Sequence, residues 1–372
     1  MAMFGRYIFG QATAALLLIL GSLGGVVWIA LALKQLKVVT TQGQDSWTML
    51  MMTTLALPNL LVIIAPIALL IAVIHVLNRL NSDSELIVFT ASGSSPWRVA
   101  RPLLVLALVV AVALTLVNHV VMPWSSKLLR QYVIKVRTDL MAQVLRPGRF
   151  SAPTAGLIIH IADRDTNGVL KDVMMHDGRN AKNTTTYLAK RGTIQKRGKS
   201  TFLILEEGHI ITRSGKDGPA DVVKISTYAF DLANFHRPGI VTTEKPRELY
   251  LHELLQRDLI GKKAKNKAER RKVGLYRAEL HQRFSNPLYP FAFVLLAVAF
   301  VGQAQSTRQN KTEATIAALA VSIGLRLVGM GAKNTVVINA SAAPLLYAVP
   351  IFGILLGIYL IHRRARPLHR SR

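Results

Sequence analysis

The chain has 372 residues and is 51% hydrophobic, yet its formal net charge is +26. These values conflict for one soluble domain and agree for a protein whose apolar residues lie in membrane spans and whose charge lies in loops. With no cysteine, disulfides, thiolate catalysis and cysteine-ligated zinc or iron–sulfur sites are excluded. The positive excess points to anionic partners, and with no nucleic-acid-binding module in the sequence, to lipid rather than nucleic acid.

The N-terminus carries one arginine, Arg6, before a long apolar run and has no small-residue cleavage site, so it reads as a retained span rather than a signal peptide. Ile8–Leu33 is long enough to cross a bilayer, which needs about 20 residues, and Lys34 and Lys37 close it. Met49–Leu77 is the second run. Pro58 and Pro66 inside it predict a kink rather than a break, because neighbouring helices re-satisfy freed carbonyls.

A polar-to-amphipathic stretch, Asn81–Pro102, then separates two apolar runs. Ser82 and Glu85 have the spacing of a capping box, in which each side chain meets the other's backbone N–H. Leu86, Ile87 and Phe89 follow, Ala91-Ser92-Gly93 stops the helix, and Ser95-Pro96 starts another with proline at its first position. The expected product is a short amphipathic helix at a membrane face, of a kind that docks into a groove on another protein.

Leu103–Val121 is the third run; Leu288–Val301, Ala314–Gly331 and Ala343–Ile361 complete about six spans. Arg6, the Arg79/Arg98/Arg101 loop, the Arg308/Lys311 loop and the Arg363-Arg364-Ala365-Arg366 tail share one side, which the positive-inside rule makes cytoplasmic. Both termini are then cytoplasmic. The large insert is placed outside the cytoplasm, since long loops translocate largely regardless of charge.

Within the insert, Ser125–Leu145 reads as a helical extension of the third span. Strand-like runs follow at Leu157–Ala162, Val169–His176, Thr184–Lys190, Thr201–Glu206, His209–Arg213 and Val222–Phe230. Turn signals at Thr166-Asn167-Gly168, Asp177-Gly178, Arg197-Gly198 and Asp217-Gly218-Pro219 separate them. Short strands at this spacing predict a β-sandwich or jelly roll. Glu248–Arg257 and Ala268–Phe284 return as helices, separated by a charge run at Lys262–Lys267 that is either a solvated loop or a contact to lipid head groups. The expected fold is six transmembrane helices with a jelly-roll-like β domain inserted between the third and fourth. The expected division is 1–122, with a helix at 82–93; 123–285; and 286–372.

Two stretches imitate catalytic motifs. Gly192–Ser200 has one residue too many for a phosphate-binding loop and lies in a hairpin rather than between strand and helix. His252-Glu253-Leu254-Leu255-Gln256 lacks the second histidine of a zinc-protease helix. No metal site and no catalytic constellation are expected.

Three stretches carry a resemblance: Ser82–Gly93; Met122-Pro123-Trp124-Ser125-Ser126-Lys127; and Ala278-Glu279-Leu280-His281-Gln282-Arg283-Phe284. With the three-plus-three topology and β-rich insert, the chain resembles the permease family of bacterial lipopolysaccharide export, and the Pro-Trp-Ser-Ser stretch favours the F-type over the G-type subunit. The resemblance implies an inner-membrane, non-catalytic subunit that pairs with a G-type paralogue. A cytoplasmic ATPase dimer binds the ATP and Mg, so this chain carries no cofactor. Lipopolysaccharide enters a cavity between the permeases and passes to periplasmic jelly-roll bridge proteins. The family's coupling helix falls at Ser82–Gly93, making Asp83, Glu85, Leu86 and Phe89 the expected ATPase-coupling residues. The lateral gate falls on the first and fifth spans, Ile8–Leu33 and Ala314–Gly331.

Glu85 is thus either a helix cap or a partner contact. Lys34 and Lys37 share a helical face and either snorkel at a span end or meet lipid A phosphates. Arg326 lies inside the fifth run, where insertion of a charge costs about 2.5–3.5 kcal/mol; it faces a polar cavity or snorkels, with Gly324, Gly329 and Gly331 around it. Lys333 extends the same basic rim, and Lys34, Lys37, Arg326 and Lys333 are the expected lipopolysaccharide-binding residues. Gly21-x-x-x-Gly25 and Gly353-x-x-x-Gly357 read as helix-packing motifs. A membrane-anchored periplasmic scaffold with no transport cycle is the alternative that explains the topology equally well.

Overall fold

A computed structural model describes residues 2–42, 46–144, 147–154, 156–165, 168–179, 183–197, 200–214, 219–231, 244–261, 267–302 and 311–365. The Lys262–Asn266 part of the charge run, Arg308, Arg366, Thr166 and Asn167, and the Gly198 and Asp217-Gly218 turn residues lie outside them. The chain divides into two compact units, residues 1–129 with 245–372, and residues 130–244.

Among the described residues, six helical segments are long and apolar enough to cross a membrane, beginning near the N-terminus with Met3–Leu33 and ending with Ala340–Arg363. α1 is Ala2–Gln42 and α2 is Ser46–Ser82, with Pro58 and Pro66 inside a continuous helix. α3 is Glu85–Ala91 and α4 Pro96–Leu116. A single π turn, Val117–Val121, joins α4 to α5, Met122–Val144, so the third span does run on as one long helix. α6, Leu251–Gly261, and α7, Lys267–Ser285, pack with the membrane helices. A 3₁₀ turn at Asn286–Leu288 links α7 to α8, Tyr289–Val301. The fourth span therefore begins well before the apolar run that starts at Leu288, and covers Glu269–Val301. α9 is Lys311–Ile338 and α10 Leu345–Ala365.

α8 is apolar on every side because it is the central helix. Phe293, Val294, Leu296 and Ala297 are all fully buried. Around it gather Ile8 and Ala12 of α1, Leu69 to Leu80 of α2, Leu103 and Leu106 of α4, and Ile361 of α10. Gly353 and Gly357 let α10 approach closely: a Cβ on Gly357 would lie 2.7 Å from Leu295 Cβ, and one on Gly353 3.1 Å from Ala292 Cβ. Gly21 and Gly25 differ, since a Cβ at either would meet nothing within 4 Å, so that pair packs no helix among the described residues.

The second unit is a six-stranded antiparallel sheet in the order β1-β2-β3-β4-β5-β6, a meander. Its strands are β1 Phe150–Thr154, β2 Leu157–Arg164, β3 Leu170–Asp177, β4 Asn183–Arg197, β5 Ser200–Ser214 and β6 Ala220–Asp231. The crossovers of a jelly roll do not occur among these pairings. The two runs expected on either side of Gly208 form the single strand β5, and Gly208 sits mid-strand because a Cβ there would collide with the Leu188 carbonyl of β4.

A crease crosses this sheet. Strand pairing is continuous on both sides of the column Asp172, Lys190, Glu207 and Ser226 but interrupted at it. Asp172 and Glu207 have positive φ, 48° and 53°. Ordinary alternation puts every second side chain on one face. Here Leu170 and Val173, Leu205 and Gly208, and Ile225 and Tyr228 share the apolar side although each pair is three residues apart. The crease thus keeps Leu157, Ile159, Met175, Leu203 and Phe230 in one core on both of its sides.

Candidate functional site

α3 is built as expected at its end and differently at its start. Ala91 ends it, Gly93 adopts φ +72°, and the next helix begins at Pro96 with the Trp97 N–H donating to Ser95 Oγ at 3.4 Å. The Ser82–Glu85 capping box does not form. α2 runs on through Ser82, Ser84 takes the cap position in a left-handed conformation with φ 57°, and no side chain caps α3. The reason is tertiary: Asn81 is buried and its Nδ2 donates to the Val301 carbonyl at 2.9 Å, which holds the end of α2 helical against α8.

Glu85 is the first residue of α3, where a carboxylate favours the positive helix end. Its Oε1 accepts from the Tyr7 hydroxyl at 3.2 Å, tying α3 to α1. Asp83 is half exposed and pairs with Arg79 at 3.7 Å. Leu86 is fully buried in the membrane-helix core, so it seats the helix and offers no surface. Phe89 stacks on Phe4 of α1 with ring centroids 4.6 Å apart. The outward face belongs to Val88, 68% exposed, and Ile87, 39% exposed. α3 is therefore a two-turn helix, about 10 Å long, with an inner face fixed to α1 and α2 and an outer apolar face beside a carboxylate.

Basic and polar groups gather where α7, α8 and α9 meet. Arg283 is 1% exposed. Its guanidinium donates to the carbonyls of Leu249 (2.9 Å), Pro246 (3.2 Å) and Arg247 (3.4 Å), and its Nε lies 3.7 Å from Glu279 Oε1. The other Glu279 oxygen accepts from Lys333 Nζ at 3.1 Å, and Lys333 also meets Gln282 Oε1. Arg326 is buried; it donates to Asn286 Oδ1 at 3.2 Å and lies over the Tyr289 ring, 4.5 Å from its centroid. Gly329 makes room for this stack, since a Cβ there would collide with the Tyr289 hydroxyl. Gly324 and Gly331 have open space around them.

The predicted cations thus separate. Arg326 and Lys333 are drawn together by α9, but each has partners within the chain: a tyrosine face and an amide for Arg326, a carboxylate for Lys333. Lys34 and Lys37 lie in α1 with side chains outside the described part of the structure. Arg283, which anchors the approach to the fourth span, was not singled out from sequence. It stands within the Ala278–Phe284 stretch, but its acceptors are backbone carbonyls more than thirty residues away, which no spacing rule encodes.

Nearby, Lys127 of α5 binds Glu253 of α6 at 2.9 Å and lies over Tyr250. Partial burial alone would raise the Glu253 carboxyl. The Lys127 ammonium and the Tyr250 N–H outweigh it and hold the group below the usual carboxylate range. Among the described residues no group of three or more His, Asp or Glu is placed to hold a metal ion. The loop-like Gly192–Ser200 stretch lies in the β4–β5 hairpin, with Gly198 and Lys199 outside the described residues.

An uncharacterized protein of Rickettsia prowazekii (strain Madrid E), RP871, is 26% identical over 378 residues, covering 98% of this chain and 100% of that protein. The family model for the lipopolysaccharide export system permease LptF/LptG matches residues 6–363, which takes in both units and all six apolar spans. By that match the chain belongs to the LptF/LptG permease family of lipopolysaccharide export, and it is a multi-pass inner-membrane protein.

Proposed function

We propose that this chain is an F-type permease subunit of an ATP-driven transporter. In this reading it extracts lipopolysaccharide from the outer leaflet of the inner membrane and passes it to its own β unit and on to periplasmic jelly-roll partners. Both termini and α3 are cytoplasmic and the β unit is periplasmic, the arrangement that the basic short loops favour. A G-type paralogue completes the cavity, and a cytoplasmic ATPase dimer supplies ATP hydrolysis. Lys34 and Lys37 contact lipid phosphates; Arg326 and Lys333 stiffen the cavity wall through Tyr289, Asn286 and Glu279.

The observation that supports coupling is the two-faced α3. Leu86 is fully buried and Val88 is 68% exposed, so a push on the outer face moves the core helices behind it. A helix floating on the surface would absorb that motion. The test is affinity purification in detergent: the wild-type chain brings a Walker-motif ATPase and a second six-span protein, and Val88→Asp loses the ATPase while keeping the six-span partner. Retention of the ATPase by Val88→Asp, or absence of any ATPase from the wild-type preparation, sinks the coupling assignment and leaves the scaffold reading in its place.

A further inference from the structure

At the α3 end, α1, α3 and α4 line an open cavity of about 790 Å³. Phe4, Phe9 and Val105 contribute to an apolar wall, Arg6, Arg98 and Arg101 bring three guanidinium groups, and among the described residues no carboxylate lines it. The arginines come from α1 and α4, so the fold converges groups that the sequence holds more than ninety residues apart. Arg98 Nη1 donates to Ser94 Oγ at 3.1 Å, which orients the guanidinium, and the group carries further N–H donors for a ligand. The Phe4–Phe89 stack closes one wall.

Val105 leads out of the cavity along α4. Val105, Val109, Val112 and Leu116 are 52%, 53%, 52% and 59% exposed. Their spacing of four, three and four residues places them on one helical face. That face lies within a segment apolar enough to span the membrane. The cavity therefore joins a cluster of planar groups suited to phosphate oxygens to an apolar stripe at bilayer depth. Arginines serving only to orient the helix need not converge.

We propose that this cavity binds an anionic glycerophospholipid from the leaflet at the α3 end. Arg6, Arg98 and Arg101 hold its phosphate, and an acyl chain lies over Phe9, Val105 and the α4 stripe. A volume near 790 Å³ suits a head group and the first carbons of a chain, with the rest in the bilayer. Charge complementarity selects this occupant over a zwitterionic lipid. The site does not depend on the transport reading. It adds to that reading one consequence: Phe89 is both cavity wall and α3 residue, so a bound lipid supports α3 from behind.

The test uses the full-length protein in detergent, with lipid retention read by native mass spectrometry during titration with phosphatidylglycerol or phosphatidylcholine. Phosphatidylglycerol is expected to bind preferentially. Arg6→Gln and Arg101→Gln should each weaken it about five-fold, and the double variant about 25-fold, the ratio corresponding to ~1 kcal/mol per basic side chain at an anionic surface. Arg363→Gln, a basic residue outside the cavity, should change nothing. Arg6→Lys/Arg101→Lys keeps both charges and should retain most of the preference. Inorganic phosphate should leave the lipid bound. Equal binding of the two lipids, or equal retention by wild type and the double glutamine variant, overturns the proposal. Full displacement by inorganic phosphate reduces the site to an anion site. Loss of a co-purified ATPase without loss of lipid would assign the arginines to partner carboxylates instead.

Discussion

The α3 helix and the α7–α9 junction both tie a peripheral segment to the membrane helices, and they do so with different chemistry. α3 is seated by the fully buried Leu86 and a Phe4–Phe89 stack, with one exposed hydrogen bond, Tyr7 to Glu85. The junction is held by Arg283 and its three carbonyl acceptors, by the Glu279–Lys333 pair and by Arg326 against Tyr289. Apolar contacts are non-directional, so α3 can tilt together with the helices it is seated on, straining the exposed Tyr7–Glu85 hydrogen bond. A buried guanidinium network tolerates no such tilt, because a carbonyl left unpaired out of water carries its full desolvation penalty. The contrast suits a moving contact at one place and a fixed one at the other.

Substitutions should separate these regimes. Arg283→Met is expected to cost most, about 3–5 kcal/mol, because it leaves three carbonyls without their donor and Glu279 with Lys333 alone; the melting temperature in detergent reports it. If Arg283→Met melts like wild type, the junction is not the rigid element described. Leu86→Ala should cost about 3 kcal/mol, but locally: limited proteolysis should open the segment around Ser82–Gly93 before global melting shifts. A purely global loss would make α3 as rigid as the junction and erase the distinction.

Gly329→Ala forces the Tyr289 ring away from Arg326 and should cost about 1–3 kcal/mol as overpacking. The Tyr289→Phe background keeps the ring but lacks the colliding hydroxyl, and should reduce that penalty. Glu85→Ala removes only an exposed hydrogen bond and no cap, so stability should fall by less than about 1 kcal/mol while ATPase co-purification drops. A stability loss without a docking defect would return Glu85 to a structural role.

The smallest effect is pH-dependent. The folded Glu253 carboxyl titrates below its unfolded value. Its contribution is therefore present above that value and is lost as pH falls through the lower folded one. The Lys127–Glu253 pair is about one-third exposed on each side, so less than about 1 kcal/mol is at stake. Acid titration of wild type and Glu253→Gln, followed by melting temperature, should show the wild type losing its small advantage only in that acid range.

Much of this architecture was legible in sequence, because bilayer thickness dictates span length and turn residues punctuate strands. The stop at Gly93 and the restart at Ser95-Pro96 were legible for the same local reason. The capping box was not a reliable sign, because Asn81 bonding to Val301 extends α2 past Ser82. β5 was split in two because a mid-strand glycine reads as a turn until the neighbouring strand's backbone is known. Arg326 was expected to face a polar cavity or to snorkel; its partners, Tyr289 and Asn286, lie about 40 residues upstream and became visible only through packing.

The crease in the sheet also limits how the β unit can vary. Its phase change falls at one column across neighbouring strands. Inserting or deleting a single residue within β3, β4, β5 or β6 would turn the apolar side chains beyond it outward in that strand alone. Only matched changes in adjacent strands, or changes in the connecting turns, leave the core intact. Length differences between homologues of this domain should therefore collect in its hairpin loops, and a homologue lacking the three-residue step in one strand should lack it in all.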